Sequence, residues 1–444
     1  MVDPNAPERG ARAGFRARSW KTVKRKAARD DDDGDQSPGT LFRIVSYNVL
    51  ADSNVKAHAR SLYRVGAHRL DWNNRSRAIA SELGCLNGDV VCLQEFEDVA
   101  GAVGERLSRG GYAAGPHARR RGGKKDACAI FYRKTMFVEV EAVEIQFSDA
   151  GLGDNVACAT VLRHASGGDA PRLVLVANAH LVFNPKRGDL KLGQCRHLFD
   201  RVHALKTAYT EKGFEVHTVI AGDWNFNPGS ALYNFFADGD IDLMFESRRK
   251  LSGAIDDGGE ASDDDASELN IIADISDDVS EDPNDAGEKL ASDVLRRGWN
   301  LENLALALGS RRVPVPSTSD KNVRTPRGHQ GHSVEDAITS IRRMMLTTVN
   351  RLMIAHPFAG DLQSAYRVVE GAEPRFTTCH AKFVGTNDYI WFTSGLTPMR
   401  ALRCPNLDDI LQYHRLPSVR YPSDHVSLAV DFSFVRGSSS LSRP

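Results

Sequence analysis

The chain has 444 residues, 41% apolar and 26% charged, which on length suggests two or three domains and on composition a folded protein with a large core. No apolar run reaches the roughly 18 residues of a membrane-spanning helix, and the polar N-terminus carries no apolar h-region, so neither a membrane protein nor a secreted one is expected. The seven cysteines are scattered, with no C-x-x-C pair, which argues against a disulfide framework or a structural zinc site and fits a reducing compartment.

The net charge of −1 conceals an asymmetry. Residues 254–293 hold fifteen Asp/Glu and one Lys, a local net of −14, and the remaining 404 residues carry +13. A basic body is compatible with a polyanionic substrate; ordinary surface charge is the competing explanation.

Residues 1–40 read as a disordered tail. Nine basic residues between Arg9 and Arg29 precede an acidic run at Asp30–Asp33 and Asp35, and such a composition buries too little apolar surface to offset its ordering entropy. Trp20 is the one candidate anchor. The basic stretch is either a solvated tail, an RNA-binding arm or a nuclear-import signal. Order is expected from Leu41. Residues 42–48 read as a buried strand, 74–84 as a helix, and Val90–Leu93 and Cys128–Tyr132 as further strands. Leu173–Asn178, a helical stretch at 190–211, Val219–Ala221, Tyr389–Phe392 and Val426–Val430 follow. Strands alternating with helices indicate an α/β layered domain over 41–253 and 364–436. Residues 254–363 read as an insertion, acidic and disordered over 254–293, with helices at 294–312 and 333–354 around a Gly/His loop at 328–332. A small separate helical module is the alternative. Residues 437–444 read as a second disordered tail.

Asn48, Glu95, His180, Asp223, Asn225, Asp388, Asp424 and His425 all fall at or beside the ends of apolar strands. Strand ends are where an α/β scaffold gathers groups from distant chain positions. One carboxylate after a strand is usually a helix cap or a solvated turn, but eight such positions, two Asn and two His among them, are harder to attribute to capping. Carboxylates and amide oxygens are hard ligands suited to Mg²⁺, and Asp–His pairs supply orientation and proton handling. There is no G-x-S-x-G elbow for a serine hydrolase and no G-x-x-x-x-G-K-[ST] phosphate loop. The inventory therefore suits metal-assisted phosphoryl chemistry.

Four motifs carry a resemblance. Ser46-Tyr47-Asn48, Leu93-Gln94-Glu95, Gly222-Asp223-Trp224-Asn225 and Ser423-Asp424-His425, in this order, resemble the endonuclease/exonuclease/phosphatase superfamily. Tyr47–Asp52, Asp126–Phe131, His180–Pro185, Gly188–Gln194 and Asp388–Trp391 are similar to its carbon catabolite repressor-type deadenylase branch, which includes the nocturnin and Angel proteins. Residues 178–236 most resemble the plant-type homologues without leucine-rich repeats. The resemblance implies a four-layer α/β sandwich, two central mixed sheets flanked by helices. It implies Glu95 as principal Mg²⁺ ligand, with Asn48 helping to hold metal or phosphate and Asp424 near a second metal position, so one or two Mg²⁺, with Mn²⁺ as a substitute. Asp223 and Asn225 would position water and phosphoryl oxygens, with Asp223 as base. His425 would contact the scissile phosphate, Asp388 fix its tautomer, and His180 bind a phosphate oxygen. Pro185 and Phe383, with Asn184 beside them, would hold an adenine. Taken alone, Pro185 reads as a chain turn and Phe383 as core. Ala127 stands where Gly is usual and Trp224 where Phe is common.

The expected activity is a Mg²⁺-dependent 3′–5′ exoribonuclease acting on the poly(A) 3′ ends of mRNA and releasing 5′-AMP. The alternatives are a phosphatase or phosphodiesterase acting on a dinucleotide phosphate, 2′,5′-oligoadenylate or RNA 2′,3′-cyclic phosphate ends, and, in another class, an inactive RNA-binding scaffold. The acidic insert is a candidate protein-binding or autoinhibitory segment. Docking to the deadenylase scaffold through leucine-rich repeats is not expected. Cytoplasm is the default location, with nuclear entry through the basic N-terminus as a second one.

Overall fold

The computed structural model describes residues 18–23, 41–63, 65–165, 172–253, 297–299, 304, 307, 352–412 and 415–435. The acidic run 254–293, the Gly/His loop 328–332 and the tail 437–444 lie outside the described residues.

The strands in chain order are β1 (Trp20–Thr22), β2 (Leu41–Asn48), β3 (Val90–Gln94), β4 (Tyr112–Arg119), β5 (Ala127–Arg133), β6 (Phe137–Gln146), β7 (Val156–His164), β8 (Arg172–His180), β9 (Glu215–Asp223), β10 (Asp240–Asp242), β11 (Met353–Ala355), β12 (Leu362–Ser364), β13 (Thr378–His380), β14 (Phe383–Gly385), β15 (Asp388–Thr393), β16 (Leu396–Leu402) and β17 (Leu428–Phe434). One seven-stranded sheet has the order β1-β16-β17-β2-β3-β5-β4, and a six-stranded sheet the order β12-β15-β9-β8-β7-β6. Both are mixed, because β2/β3 and β8/β9 are parallel and the other pairs antiparallel.

Alternation along each strand builds the layers. Phe42 and Ile44 of β2 face Val174, Val176 and Val219 of the other sheet in a core between the sheets. Val45 and Tyr47 face outward and pack with helix α1 (Trp72–Leu86) through Trp72, Ile79 and Leu83. Ile220, one residue on from Val219, packs outward on helices α2 (Gly188–Thr210) and α3 (Ala231–Asp238). The result is the helix–sheet–sheet–helix sandwich. Cys92, Cys128 and Cys158 are small buried members of the inter-sheet core.

Two parts of the domain reading are corrected. Residues 18–23 are ordered: β1 pairs with β16, and the Trp20 ring lies under the guanidinium groups of Arg43 at 4.3 Å and Arg400 at 4.7 Å. Residues 353 and 354, read as a helix end, are strand, since β11 pairs with β10. Other described parts of 254–363 also pack on the body. Trp299, Leu304 and Ala307 are buried in the α2/α3 core, and β12 pairs with β15.

The topology brings one set of ends together. β2, β3, β8 and β9 all terminate at the same edge, since Asn48 pairs with Gln94 and His180 with Asp223. β15 runs antiparallel to β9, so its first residue, Asp388, lies opposite Asp223. β17 runs antiparallel to β2, which brings the preceding Ser423–His425 to the same edge. Close approach here demands glycine at 222: a Cβ would meet the Ala179 carbonyl oxygen at 2.2 Å.

Candidate active site

A cleft of about 640 Å³ opens at this edge, within the size range of small-molecule and cofactor sites. Glu95, His180, Asn184, Pro185, Asp223, Asn225, Phe383, Asp424 and His425 line it. Asn48 and Asp388, both buried, lie just behind its floor. All eleven candidate residues therefore meet in one place.

At the centre is Asp223, the last residue of β9. Its Oδ2 accepts from Asn48 Nδ2 at 2.9 Å. It also lies 3.6 Å from His180 Nε2 and 3.7 Å from His425 Nε2. The other face of the His425 ring is held by Asp388, with Nδ1 2.8 Å from Oδ2. Burial alone would strip the proton from His425, but Asp388 and Asp223, followed by Asp424, outweigh it and push its pKa well above the usual histidine value. The surrounding carboxylates thus favour the protonated form of His425. Asp223 is pushed the other way for a carboxylate: burial, then Asp388, raises its pKa against the opposing pull of His425, His180 and Asn48.

Glu95 follows β3 in the left-handed region, φ 52°, a conformation that costs a non-glycine residue of order 1 kcal/mol and is typical of functional sites. Its Oε2 accepts from Asn54 Nδ2 at 2.6 Å and from the Ala51 N–H at 3.0 Å, and its Oε1 from Asn48 Nδ2 at 3.4 Å. Asp424 accepts from the Tyr63 hydroxyl at 3.0 Å. Burial, then Asp424 and Glu95, pushes the Tyr63 pKa up, so it stays a neutral donor. Asn225, also left-handed at φ 52°, gives its side-chain N–H to the Leu181 carbonyl and its main-chain N–H to Asp223 Oδ1.

Two arrangements bear on a metal ion. Asp223, Asp388 and His425 offer ligand atoms within 4.8 Å of one another. In that cluster His425 Nδ1 and Asp388 Oδ2 are already bonded to each other at 2.8 Å. Glu95 and Asp424 instead present carboxylates to the open cleft, an all-oxygen donor set that fits a hard divalent ion.

Among family models, that of the endonuclease/exonuclease/phosphatase family matches residues 45–425. The chain belongs to this family. Its relatives place it in the branch of carbon catabolite repressor protein 4 homologues and Angel proteins. It is 30% identical to homolog 3 of Arabidopsis thaliana over 422 residues, 92% of this chain and 79% of that protein. It is 25% identical to protein angel homolog 2 of Homo sapiens over 420 residues, 88% of this chain and 69% of that protein. The crystal structure of ANGEL2, a 2′,3′-cyclic phosphatase, in complex with adenosine-2′,3′-vanadate has the same fold, with TM-score 0.64, 24% identity and coverage of 94% of this chain and 98% of that one. The human Nocturnin catalytic domain matches at TM-score 0.51 and 17% identity, over 96% and 100%.

This member of the endonuclease/exonuclease/phosphatase family holds its site with residues that the motif reading did not single out. Lys191 of α2 is buried and its Nζ donates to the Asn225 carbonyl at 2.7 Å; burial lowers its pKa to about 7. Arg75 of α1 is buried and donates to the carbonyls of Val49 and Leu50 and, at 3.4 Å, of Pro422, joining the loops on either side of Asn48 and Asp424. Helical spacing signalled both. Lys191 falls on the stripe of Cys195, Leu198, Phe199 and Val202, and Arg75 on that of Trp72, Ile79 and Leu83. Among the described residues no helix is long and apolar enough to cross a membrane.

Proposed function

We propose that this phosphoesterase is a Mg²⁺-dependent 3′–5′ exoribonuclease that removes adenosine residues from RNA 3′ ends as 5′-AMP. The observation that carries the reading is the Asp388–His425 pair facing Asp223 across the floor of a cleft whose walls present Phe383 and Pro185. Mg²⁺ would be held by Glu95, with Asp424 near a second position, and would supply charge neutralisation at the scissile phosphate and the leaving oxygen.

The residues of the chain do the rest. Asp223, its pKa raised by burial and by Asp388, accepts the proton of the attacking water and is oriented for it by Asn48. The His425 imidazolium, aimed by Asp388, donates to a phosphoryl oxygen as charge builds there. His180, 3.6 Å from the same Asp223 oxygen, and the Asn225 side chain line the cleft beside Asp223 to complete the oxygen contacts. The 3′-oxygen of the penultimate nucleotide leaves, and the terminal nucleotide departs as a 5′-monophosphate. Phe383 is seated over Gly385, where a Cβ would meet its ring at 2.6 Å. Pro185 is fixed by the Ser252 hydroxyl donating to its carbonyl at 3.0 Å. Both are placed to grip a base, worth about 1–3 kcal/mol by stacking.

Hydrolysis of RNA 2′,3′-cyclic phosphate ends is the second reading, favoured by the shared fold and branch with ANGEL2, a 2′,3′-cyclic phosphatase. One RNA sequence ending in twenty adenosines, prepared with a free 3′-hydroxyl or with a 2′,3′-cyclic phosphate, separates the two. The exonuclease reading predicts a ladder and 5′-AMP from the hydroxyl form. Ring opening without shortening, and an inert hydroxyl form, would replace it with the second reading.

A further inference from the structure

The cleft wall carries an aromatic residue with no role so far. Phe183 is 61% exposed, yet it lines the same cleft as Pro185 and Phe383. An exposed apolar side chain is unremarkable on a mobile surface, but the backbone here is pinned on both sides. Leu181 before it is fully buried, and its N–H donates to the Asp223 carbonyl at 3.0 Å. The Val182 N–H donates to Gln194 Oε1 at 3.0 Å. The Asn184 side chain accepts from the Lys186 N–H at 2.9 Å, closing a turn. The fold therefore holds a phenyl ring in water, three residues from His180, on a segment tied directly to Asp223.

We propose that Phe183 is a stacking platform for the base of the penultimate nucleotide, so that the site takes single-stranded polynucleotide in preference to a mononucleotide-sized substrate. This rests on the RNA reading above and extends it by one subsite. Three observations support a nucleotide as occupant. The backbone that carries the ring is held in place, so stacking on it orders only the side chain. Exposed Lys124 and Lys382 line the same cleft and complement the phosphates of a strand. Pro185 and Phe383 already provide one apolar grip in the same cleft, which leaves Phe183 for the neighbouring base. Stacking tolerates any base, so Phe183 sets the minimum length of the substrate, and adenine preference stays with the Pro185 and Phe383 grip.

A coupling experiment tests this. The full chain and Phe183→Ala are each titrated by fluorescence anisotropy, in EDTA, with a labelled oligoadenylate and with the same strand carrying an abasic penultimate ribose. The wild-type chain should bind the abasic strand about 5- to 150-fold more weakly. Phe183→Ala should show that loss on the intact strand and none further on the abasic one, and Phe183→Trp should restore it. Additive losses, no loss in Phe183→Ala, or no measurable binding of either strand would overturn the platform. Hydrolysis of the intact strand in Mg²⁺, measured beside it, reports separately on the exonuclease reading, because the binding cycle needs no turnover. In that assay Phe183→Ala should raise KM and leave kcat within a few-fold.

Discussion

Replacing Asp388 by Asn tests the electrostatic core of the site. The Asp388 carboxylate lies 2.8 Å from His425 Nδ1, a charge-assisted hydrogen bond in a buried setting. Such bonds contribute about 1.5–3 kcal/mol. Asn has the same shape without the charge, so if the bond strengthens only as charge develops on the phosphate, kcat should fall about 10- to 150-fold. The pH profile should move as well. Burial opposes the charge on His425, and Asp388 is the largest contributor holding its pKa up. Without that carboxylate the imidazolium loses its proton at lower pH, so the alkaline fall in activity moves to lower pH. The same sign applies to stability. A raised histidine pKa contributes stability that is fully present below the unfolded value near 6.5 and is lost as pH rises through the folded pKa; the variant should flatten that loss. The assay is kcat against pH on an oligoadenylate, beside urea unfolding across the same range. An Asp388→Asn protein with unchanged kcat and an unmoved alkaline limb would refute the reasoning.

Glu95→Ala and Asp223→Ala should each leave near-background turnover with the circular dichroism of the parent; substantial activity in either contradicts its role. Lys191 has its pKa lowered from its ordinary 10.5 to about 7 by burial. Its folded state therefore sheds a proton that the unfolded chain keeps between these values, and stability should rise from pH 7 towards pH 10 by at most roughly 5 kcal/mol. Urea titrations at pH 7 and 9.5 check this, and Lys191→Met should remove the rise and lower kcat by freeing the Asn225 carbonyl. Gly222→Ala must force a Cβ against the Ala179 carbonyl, 2.2 Å away, between the two strands that carry His180 and Asp223. It should cost more than about 2 kcal/mol in thermal unfolding; a variant as stable as the parent would mean that the strands separate easily.

The strands that carry the site were legible because each is an apolar run with a polar residue at or beside one end, and strand polarity then dictates where those ends meet. What escaped is instructive. β4 contains Gly115-Pro116, which reads locally as a turn, but β4 is the edge strand of its sheet and carries a bulge between Ala114 and His117, the setting that tolerates both residues. Trp20, the candidate anchor, does anchor; what escaped is the strand around it, because the tail's composition forbids independent order and its partners, Arg43, Arg400 and β16, are distant in sequence. Arg75 and Lys191 lie on apolar helical stripes, and their partners are main-chain carbonyls, which carry no residue-specific signature. The Asp388–His425 contact spans 37 residues and followed from the resemblance, since spacing alone does not pair a strand-start Asp with a particular histidine.

The most direct test of the central claim is Mg²⁺-dependent turnover of a 5′-labelled RNA with a twenty-adenosine 3′ tail, wild-type beside Glu95→Ala. The account predicts a stepwise ladder with 5′-AMP as product, abolished by EDTA and absent in the variant. An RNA that stays full-length, or a ladder that survives the loss of Glu95, would contradict it.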